Sequence, residues 1–378
     1  MLKLRYLRPS LWGAAFLLCS GLSAFCQTQP SPATPAQSTV PALPDPTRPE
    51  VQPPLDVDRD PIPSLDTANP VEAISPSFSK ATQSVQPPKG EGIYTMHAEV
   101  DEVLLDCTVI DDKGRTVSGL TQNDFRVWED GAPQVINSVQ HQDVPVSMGI
   151  LVDNSGSMID KRVAVNDAAF NLVKQSNPKD EAFVVNFSDR AFLDQGFTSD
   201  LVALNRGLSR SDSKGMTALY DAVAAAGDEL SKHGKHRKEV LLIITDGADN
   251  ASRLTLQEAI RRVQDLGGPV VYCVGLLFDA NREESDRART ALEKLSEETG
   301  GVAFFPHSLQ DVNSVAAEVA HDIRDQYTVD YHSSKPASLG GYRTVHVEAV
   351  GPNHRNLIVR TRRGYYAKAV PQSQIAKQ

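Results

Sequence analysis

The stretch Met148-Gly149-Ile150-Leu151-Val152-Asp153-Asn154-Ser155-Gly156-Ser157-Met158 decides how the chain is read. It opens with a continuous apolar run, as a strand buried on both faces requires, and turns abruptly polar and hydroxyl-rich at Asp153. Three further runs have the same character: Ala182-Phe183-Val184-Val185-Asn186-Phe187, Val240-Leu241-Leu242-Ile243-Ile244 and Val270-Val271-Tyr272-Cys273-Val274. Helical patterns separate them, over 163–175, 218–231, 256–266, 287–298 and 309–324. Such alternation predicts an α/β fold with a doubly wound, mostly parallel sheet, whose ligands bind beyond the carboxyl ends of the strands.

Three stretches converge at that edge. Asp153-Asn154-Ser155-Gly156-Ser157-Met158 follows the first strand, and Thr245-Asp246-Gly247-Ala248-Asp249-Asn250 follows the strand at 240–244. Between them in the chain, Lys214-Gly215-Met216-Thr217-Ala218-Leu219-Tyr220-Asp221 opens a helix. Two carboxylates, Asp153 and Asp246, and three hydroxyls, Ser155, Ser157 and Thr217, meet there, while Gly156, Gly215 and Gly247 let the loops bend closely. An all-oxygen donor set suits a hard divalent cation such as Mg²⁺, with Mn²⁺ or Ca²⁺ as alternatives. Imidazole and thiolate are missing from these stretches, which argues against zinc. Asp221, four residues beyond Thr217 on one helix face, reads as structural.

Asp153-x-Ser155-x-Ser157, Thr217 and Asp246 resemble, residue by residue, the metal-ion-dependent adhesion site of von Willebrand factor type A domains. Three separated motifs in the right order carry a resemblance that covers about half the chain. It implies that Ser155, Ser157 and Thr217 supply hydroxyl ligands, directly or through water. Asp153 and Asp246 would then coordinate the ion or hold its waters, and a carboxylate of a protein partner would complete the shell. With strands before and after the central region, the chain is similar to bacterial secreted proteins of this family. The function implied is adhesion or scaffolding, not catalysis.

Outward from the centre the pattern changes. Short β-rich runs at 100–109, 125–127 and 135–136 are separated by Asp111-Asp112-Lys113-Gly114 and Glu129-Asp130-Gly131-Ala132-Pro133, which are turn sequences. Runs at 327–331, 344–350 and 356–360 also alternate like strands. Some 50 residues are few for an independent sandwich, so the segments 91–144 and 327–369 are expected to pair into one small antiparallel, sandwich-like β domain. The α/β domain, 145–326, would then be an insertion between them.

The first 26 residues have the anatomy of a signal peptide: Lys3, Arg5 and Arg8, an apolar run from Leu11 to Phe25, and small residues before Gln27. An uncleaved anchor is the alternative, although the run is shorter than the ~20 residues that span a bilayer comfortably. Lipidation at Cys19 or Cys26 fits less well after the bulky Leu18 and Phe25. Residues 27–90, rich in Pro, Ser, Thr, Gln and Ala, read as a disordered, extended spacer, and 370–378 as a tail. The expected location is therefore secreted, periplasmic or at the cell envelope, with no membrane span after cleavage.

Across 378 residues the formal net charge is −10, and loss of Lys3, Arg5 and Arg8 with residues 1–26 takes it to about −13. Such an acidic chain is not built to coat nucleic acid. Of four cysteines, Cys107 and Cys273 lie beyond the leader in apolar runs of different domains. They are expected as two separately buried thiols, with a disulfide as the alternative in an oxidising compartment.

Rival chemistries fit poorly. A nucleophile elbow needs Gly two residues before Ser155, where Asp153 stands. An aspartyl phosphatase would want an acid at Ser155, and no Gly-rich phosphate loop with its Lys is present. A metal-dependent hydrolase and a purely structural metal site stay open as alternatives. The basic run His233-Gly234-Lys235-His236-Arg237-Lys238 reads as a solvated loop. Arg360-Thr361-Arg362-Arg363-Gly364-Tyr365-Tyr366 reads as an edge strand whose charges oppose aggregation or pair with the acidic body.

Overall fold

The computed structural model describes residues 102–210, 212–265, 267–351 and 356–367. The expected leader 1–26, spacer 27–90 and tail 370–378 lie outside the described residues. In chain order the first strands are β1 (Glu102–Ile110), β2 (Phe125–Glu129), β3 (Ala132–Gln134), β4 (Ile136–His141) and β5 (Val146–Asp153). There follow α1 (Arg162–Gln175), β6 (Glu181–Phe187), β7 (Ala191–Thr198), α2 (Leu201–Leu208), α3 (Leu219–His233) and β8 (Lys238–Thr245). Then come α4 (Leu256–Asp265), β9 (Val270–Gly275), α5 (Arg282–Thr299), β10 (Ala303–Phe304) and α6 (Val312–Arg324). The last strands are β11 (Tyr327–His332), β12 (Tyr342–Ala349), β13 (Ile358–Arg360) and β14 (Gly364–Tyr366).

Every residue of β5 is buried, and among the described residues the central sheet runs β10-β9-β8-β5-β6-β7. All neighbours are parallel except β7, which returns antiparallel along β6 as an edge. Because side chains alternate along a strand, Met148, Ile150 and Val152 enter one core with α1, α2 and α6, while Leu151 enters the other with α3, α4 and α5. The chain leaves β5 toward β6 and later comes back to its other side as β8. This reversal of strand order opens a crevice at the carboxyl ends of β5 and β8.

The flanking segments form two antiparallel sheets, β13-β1-β11-β4 and β14-β12-β2-β3. Each mixes strands from before and after the α/β region: β1 pairs with β11 and β13, and β2 pairs with β12. Their inner faces share one core, in which Leu105, Phe125, Tyr327, Tyr331 and Val347 are buried together. Glu129 is buried in this sandwich but fully engaged, accepting from the hydroxyls of Tyr331, Tyr365 and Ser333 and facing Arg343 at 3.4 Å.

A buried polar knot ties the sandwich to the central sheet. Asp322 on α6 accepts from the Tyr272 hydroxyl on β9 at 2.7 Å and from Arg360 on β13, and the Thr108 hydroxyl on β1 lies at 3.4 Å. Gln326 donates to both Thr108 and Tyr272. The basic C-terminal stretch is paired with the body: Arg362 donates to the carbonyls of Gly267 and Leu104, and Arg363 meets Glu297. The run at 233–238 is likewise engaged, with Lys235 near Glu181, His236 bonded to the Lys179 carbonyl and Arg237 on Glu102.

Some expected boundaries move. The helix anticipated at 287–298 begins at Arg282, because Asn281 caps it by accepting from the Glu284 N–H. The last helix starts at Val312 after a 3₁₀ turn, Leu309–Asp311. The antiparallel β7 and the short α2, capped by Asp200, were not anticipated. Cys107 and Cys273 are free thiols, one in the sandwich and one in the sheet core, and burial pushes both up to about 12. Among the described residues no helix is long and apolar enough to cross a membrane.

Gly149 shows how tightly the central strand is held. A methyl group there would stand 2.5 Å from the Phe183 ring and 2.6 Å from Leu241. Gly149→Ala should therefore lower the unfolding free energy by about 2 kcal/mol through overpacking, measured by urea denaturation.

Candidate functional site

Asp153 is the last residue of β5, level with Phe187 of β6, and Thr245 closes β8 beside it. The Asp153 carboxylate is fully buried and held from two sides. Its Oδ1 accepts the Ser155 N–H at 2.8 Å, and its Oδ2 accepts the Thr245 hydroxyl at 2.6 Å. The first of these bonds turns the chain sharply after the strand, as Asx side chains do. A 3₁₀ turn, Gly156–Met158, follows, and the buried Met158 anchors it in the sheet core.

That turn aims the hydroxyls. Ser155 Oγ and Ser157 Oγ lie 3.1 Å apart, and Ser157 Oγ donates to Asp246 Oδ1 at 2.8 Å. Four of the five residues anticipated from sequence are thus joined by contacts at the ends of β5 and β8. Thr217 arrives on the third loop and is 4% exposed. Its N–H donates to Asn250 Oδ1 at 2.8 Å and its carbonyl accepts from Asn250 and Ala251, which fixes it to the loop after β8. The same loop reaches the serine turn through the Gly156 N–H, 3.3 Å from the Gly215 carbonyl, and through the Lys214 N–H on the Asn154 carbonyl. Gly215 has φ +85°, and a side chain there would strike the Asp189 carboxylate. Only glycine suits that position.

Further side chains pin the loops around these residues. Asp249 accepts from the Tyr220 N–H and the Ser252 hydroxyl, and Asp221 accepts from the backbone N–H groups of Arg253 and Leu254. Asn154 bridges to Asp212 and Ser213.

Two cations escaped the sequence reading. Lys161, just before α1, is buried with its Nζ 2.7 Å from Asp246 Oδ2 and 3.5 Å from Asp279. Arg162 lies beneath the site and donates to the Asp153 carbonyl, to Asn186 Oδ1 and to the Leu208 carbonyl. Burial pulls its guanidinium down to about 10. Two adjacent basic residues at a helix start look solvent-facing in a sequence, and only their carboxylate and carbonyl partners, distant in the chain, draw them inward.

Among the described residues no group of three or more His, Cys, Asp or Glu side chains is placed to hold a metal. The convergence of Ser155, Ser157 and Asp246, with Asp153 behind and Thr217 on the adjoining loop, is a different donor set: oxygen only, two carboxylates and three hydroxyls. It fits a hard divalent cation.

Residues 148–248 match the family model of the von Willebrand factor type A domain. No curated protein matches the sequence. Among solved structures, a von Willebrand factor type A protein from Catenulispora acidiphila is 13% identical with a TM-score of 0.43, over 71% of this chain and 74% of that one. The conserved hypothetical protein BatB from Bacteroides thetaiotaomicron is 19% identical with a TM-score of 0.38, over 47% of this chain and 98% of its own. The von Willebrand factor domain of the type V pili tip protein Mfa5 from Porphyromonas gingivalis is 11% identical with a TM-score of 0.41, over 48% and 95%.

Burial pushes the Asp153 carboxyl up to about 6, against the opposing hydrogen bonds from Thr245 and Ser155, and the nearby charge of Asp246 adds to the rise. The folded protein therefore holds this proton more tightly than the unfolded chain, so stability falls as the pH rises through the window from 3.8 to about 6. In chelator at pH 8, Asp153→Asn should exceed the parent by on the order of 2 kcal/mol in urea unfolding. That advantage should close as the pH falls through the same window, and a gap independent of pH would contradict the assignment.

Proposed function

We propose, starting from a chain that carries a von Willebrand factor type A domain within residues 148–248, that this is an exported, divalent-cation-dependent protein-binding module. It serves in adhesion or as a scaffold and recognises an acidic group of its partner. The observation that carries this is the run of contacts from Ser155 Oγ to Ser157 Oγ to Asp246 Oδ1, at the edge where the strand order reverses.

Ser155, Ser157 and Thr217 would hold Mg²⁺ through their hydroxyls, and Asp153 and Asp246 would hold it directly or through water. When bound, the ion supplies a concentrated positive charge that a partner Asp or Glu can complete. The residues of this chain do the rest. Thr245 and the Ser155 N–H fix the orientation of Asp153, Met158 anchors the serine turn, and Asn250 fixes the Thr217 loop. Neutral hydroxyls as ligands leave the cation more of its charge than carboxylates would, which matters in a chain of net charge −10.

Apolar side chains next to the site support a protein as the partner. Ile159 and Val163 follow the serine turn and Met216 precedes Thr217, and all three are more than half exposed. Exposed apolar groups beside a polar centre suit a docked protein surface better than a small free anion.

Calorimetry with MgCl₂ on the full chain should give one binding event that Asp246→Ala and Thr217→Ala weaken at least about tenfold, equivalent to about 1.4 kcal/mol. Envelope proteins retained in Mg²⁺ should be released by chelator and should not be retained by Thr217→Ala. Retention indifferent to chelator would refute cation-dependent recognition. Chelation that lowers the melting temperature without changing any interaction would assign the cation a structural role instead.

A further inference from the structure

Lys161 occupies an unusual position for a lysine. Its side chain is 9% exposed, and its ammonium is held between three loops that follow β5, β8 and β9. Nζ lies 2.7 Å from Asp246 Oδ2, 3.5 Å from Asp279 Oδ2 and 5.7 Å from the centre of the Phe278 ring. The backbone also fixes the residue: its N–H donates to the Met158 carbonyl, and its own carbonyl receives the Val165 N–H as α1 begins. Burying an ammonium is unfavourable unless paired with good geometry, and here the geometry is good.

The two oxygens of Asp246 are therefore divided. Oδ1 takes the Ser157 hydroxyl and Oδ2 takes Lys161. The ammonium adds one positive charge to a centre that also holds the carboxylates of Asp153 and Asp246, the solvent-exposed Asp279 and, beneath, the Arg162 guanidinium. Whatever the others sum to, removing the ammonium makes the loaded centre one charge more negative. That change would favour tight metal binding and weaken the attraction for a further carboxylate, whereas the ammonium does the opposite.

We propose that Lys161 is a specificity-determining residue of this centre: fixed on Asp246, it weakens the hold on the cation and makes the loaded site one charge more positive, so that the site recruits an anionic carboxylate. This rests on the cation-binding reading above and adds to it a residue outside the five oxygen donors. Lys161 touches neither ligand in this scheme. It acts through Asp246 and through its charge.

The test uses the full chain with Mn²⁺ as the probe, free ion being counted by electron paramagnetic resonance, with and without acetate as a small carboxylate. In the parent, acetate should tighten Mn²⁺ binding. Lys161→Met, which keeps an unbranched stem, should bind Mn²⁺ about tenfold tighter or more and lose the acetate effect. Lys161→Arg, which keeps the charge, should stay close to the parent in both measurements. Asp279 is 65% exposed, so Asp279→Asn should fold normally. By removing a negative charge beside the ammonium it should weaken Mn²⁺ binding about two- to threefold at low salt, an effect that high salt removes.

A folded Lys161→Met that binds Mn²⁺ as the parent does, or more weakly, overturns the proposal while leaving the cation site intact. An unfolded Lys161→Met together with an unchanged Asp279→Asn overturns it as well. If the parent does not bind Mn²⁺, the cation reading falls and this proposal falls with it.

Discussion

The hydrogen bond from the Thr245 hydroxyl to Asp153 joins the ends of the two strands between which the site lies. β5 and β8 run side by side from Val146 and Lys238 to Val152 and Ile244, both packed on two faces, and their last side chains have no freedom to diverge. The candidate site is hung from that seam. The serine turn departs from Asp153, the Asp246 loop departs from Thr245, and the Thr217 loop is tied to both by backbone hydrogen bonds. A site assembled from loops gains the precision of a sheet because each loop is anchored within one or two residues of a strand end or by a buried side chain such as Met158.

Electrostatics then distinguishes the two carboxylates, which look alike in the sequence. Asp153 is buried among neutral donors, and burial raises its pKa. Asp246 instead shares its oxygens between a hydroxyl and an ammonium. Arg162 places a second cation below, its two terminal nitrogens donating to carbonyl and amide oxygens while its buried Nε meets no acceptor among the described residues. The region is thus a small arrangement of opposite charges, buried at Asp153, Asp246 and Lys161 and open to solvent at Ser157, and each buried charge counts for more than it would at the surface.

Much of this was legible in the residues. Continuous apolar runs located the buried strands because a strand covered on both faces cannot alternate. The five oxygen donors could be picked out because each stands directly beyond such a run or at a helix start. What stayed hidden depends on contacts that the chain does not make locally. β7 reads as loop because its buried positions include Asp194 and Gln195 and its ladder with β6 is broken by register shifts, so no clean alternation is left. The N-terminal extension of α5 depends on the Asn281 cap in an otherwise charged, featureless segment. Lys161 and Arg162 resemble an ordinary solvated pair until the fold brings Asp246 and Asn186 to them.

The sandwich has a consequence for the order in which the molecule comes together. Thr328 on β11 bonds to Asp106 on β1 across 222 positions of sequence, and the whole α/β region lies in between. Parallel strands linked by helices pair after short excursions, whereas β1 and β4 must wait for β11 to emerge, and β2, already in a hairpin with β3, waits for β12 on its other edge. On a chain made or exported from its N-terminus, β1 stays unpaired longest, with apolar residues such as Leu105 and Val109 uncovered until the last fifth of the protein arrives. Closure of the sandwich is then a register of completion: only a chain delivered to its end can bury β1, and a truncated one carries an open edge that invites aggregation.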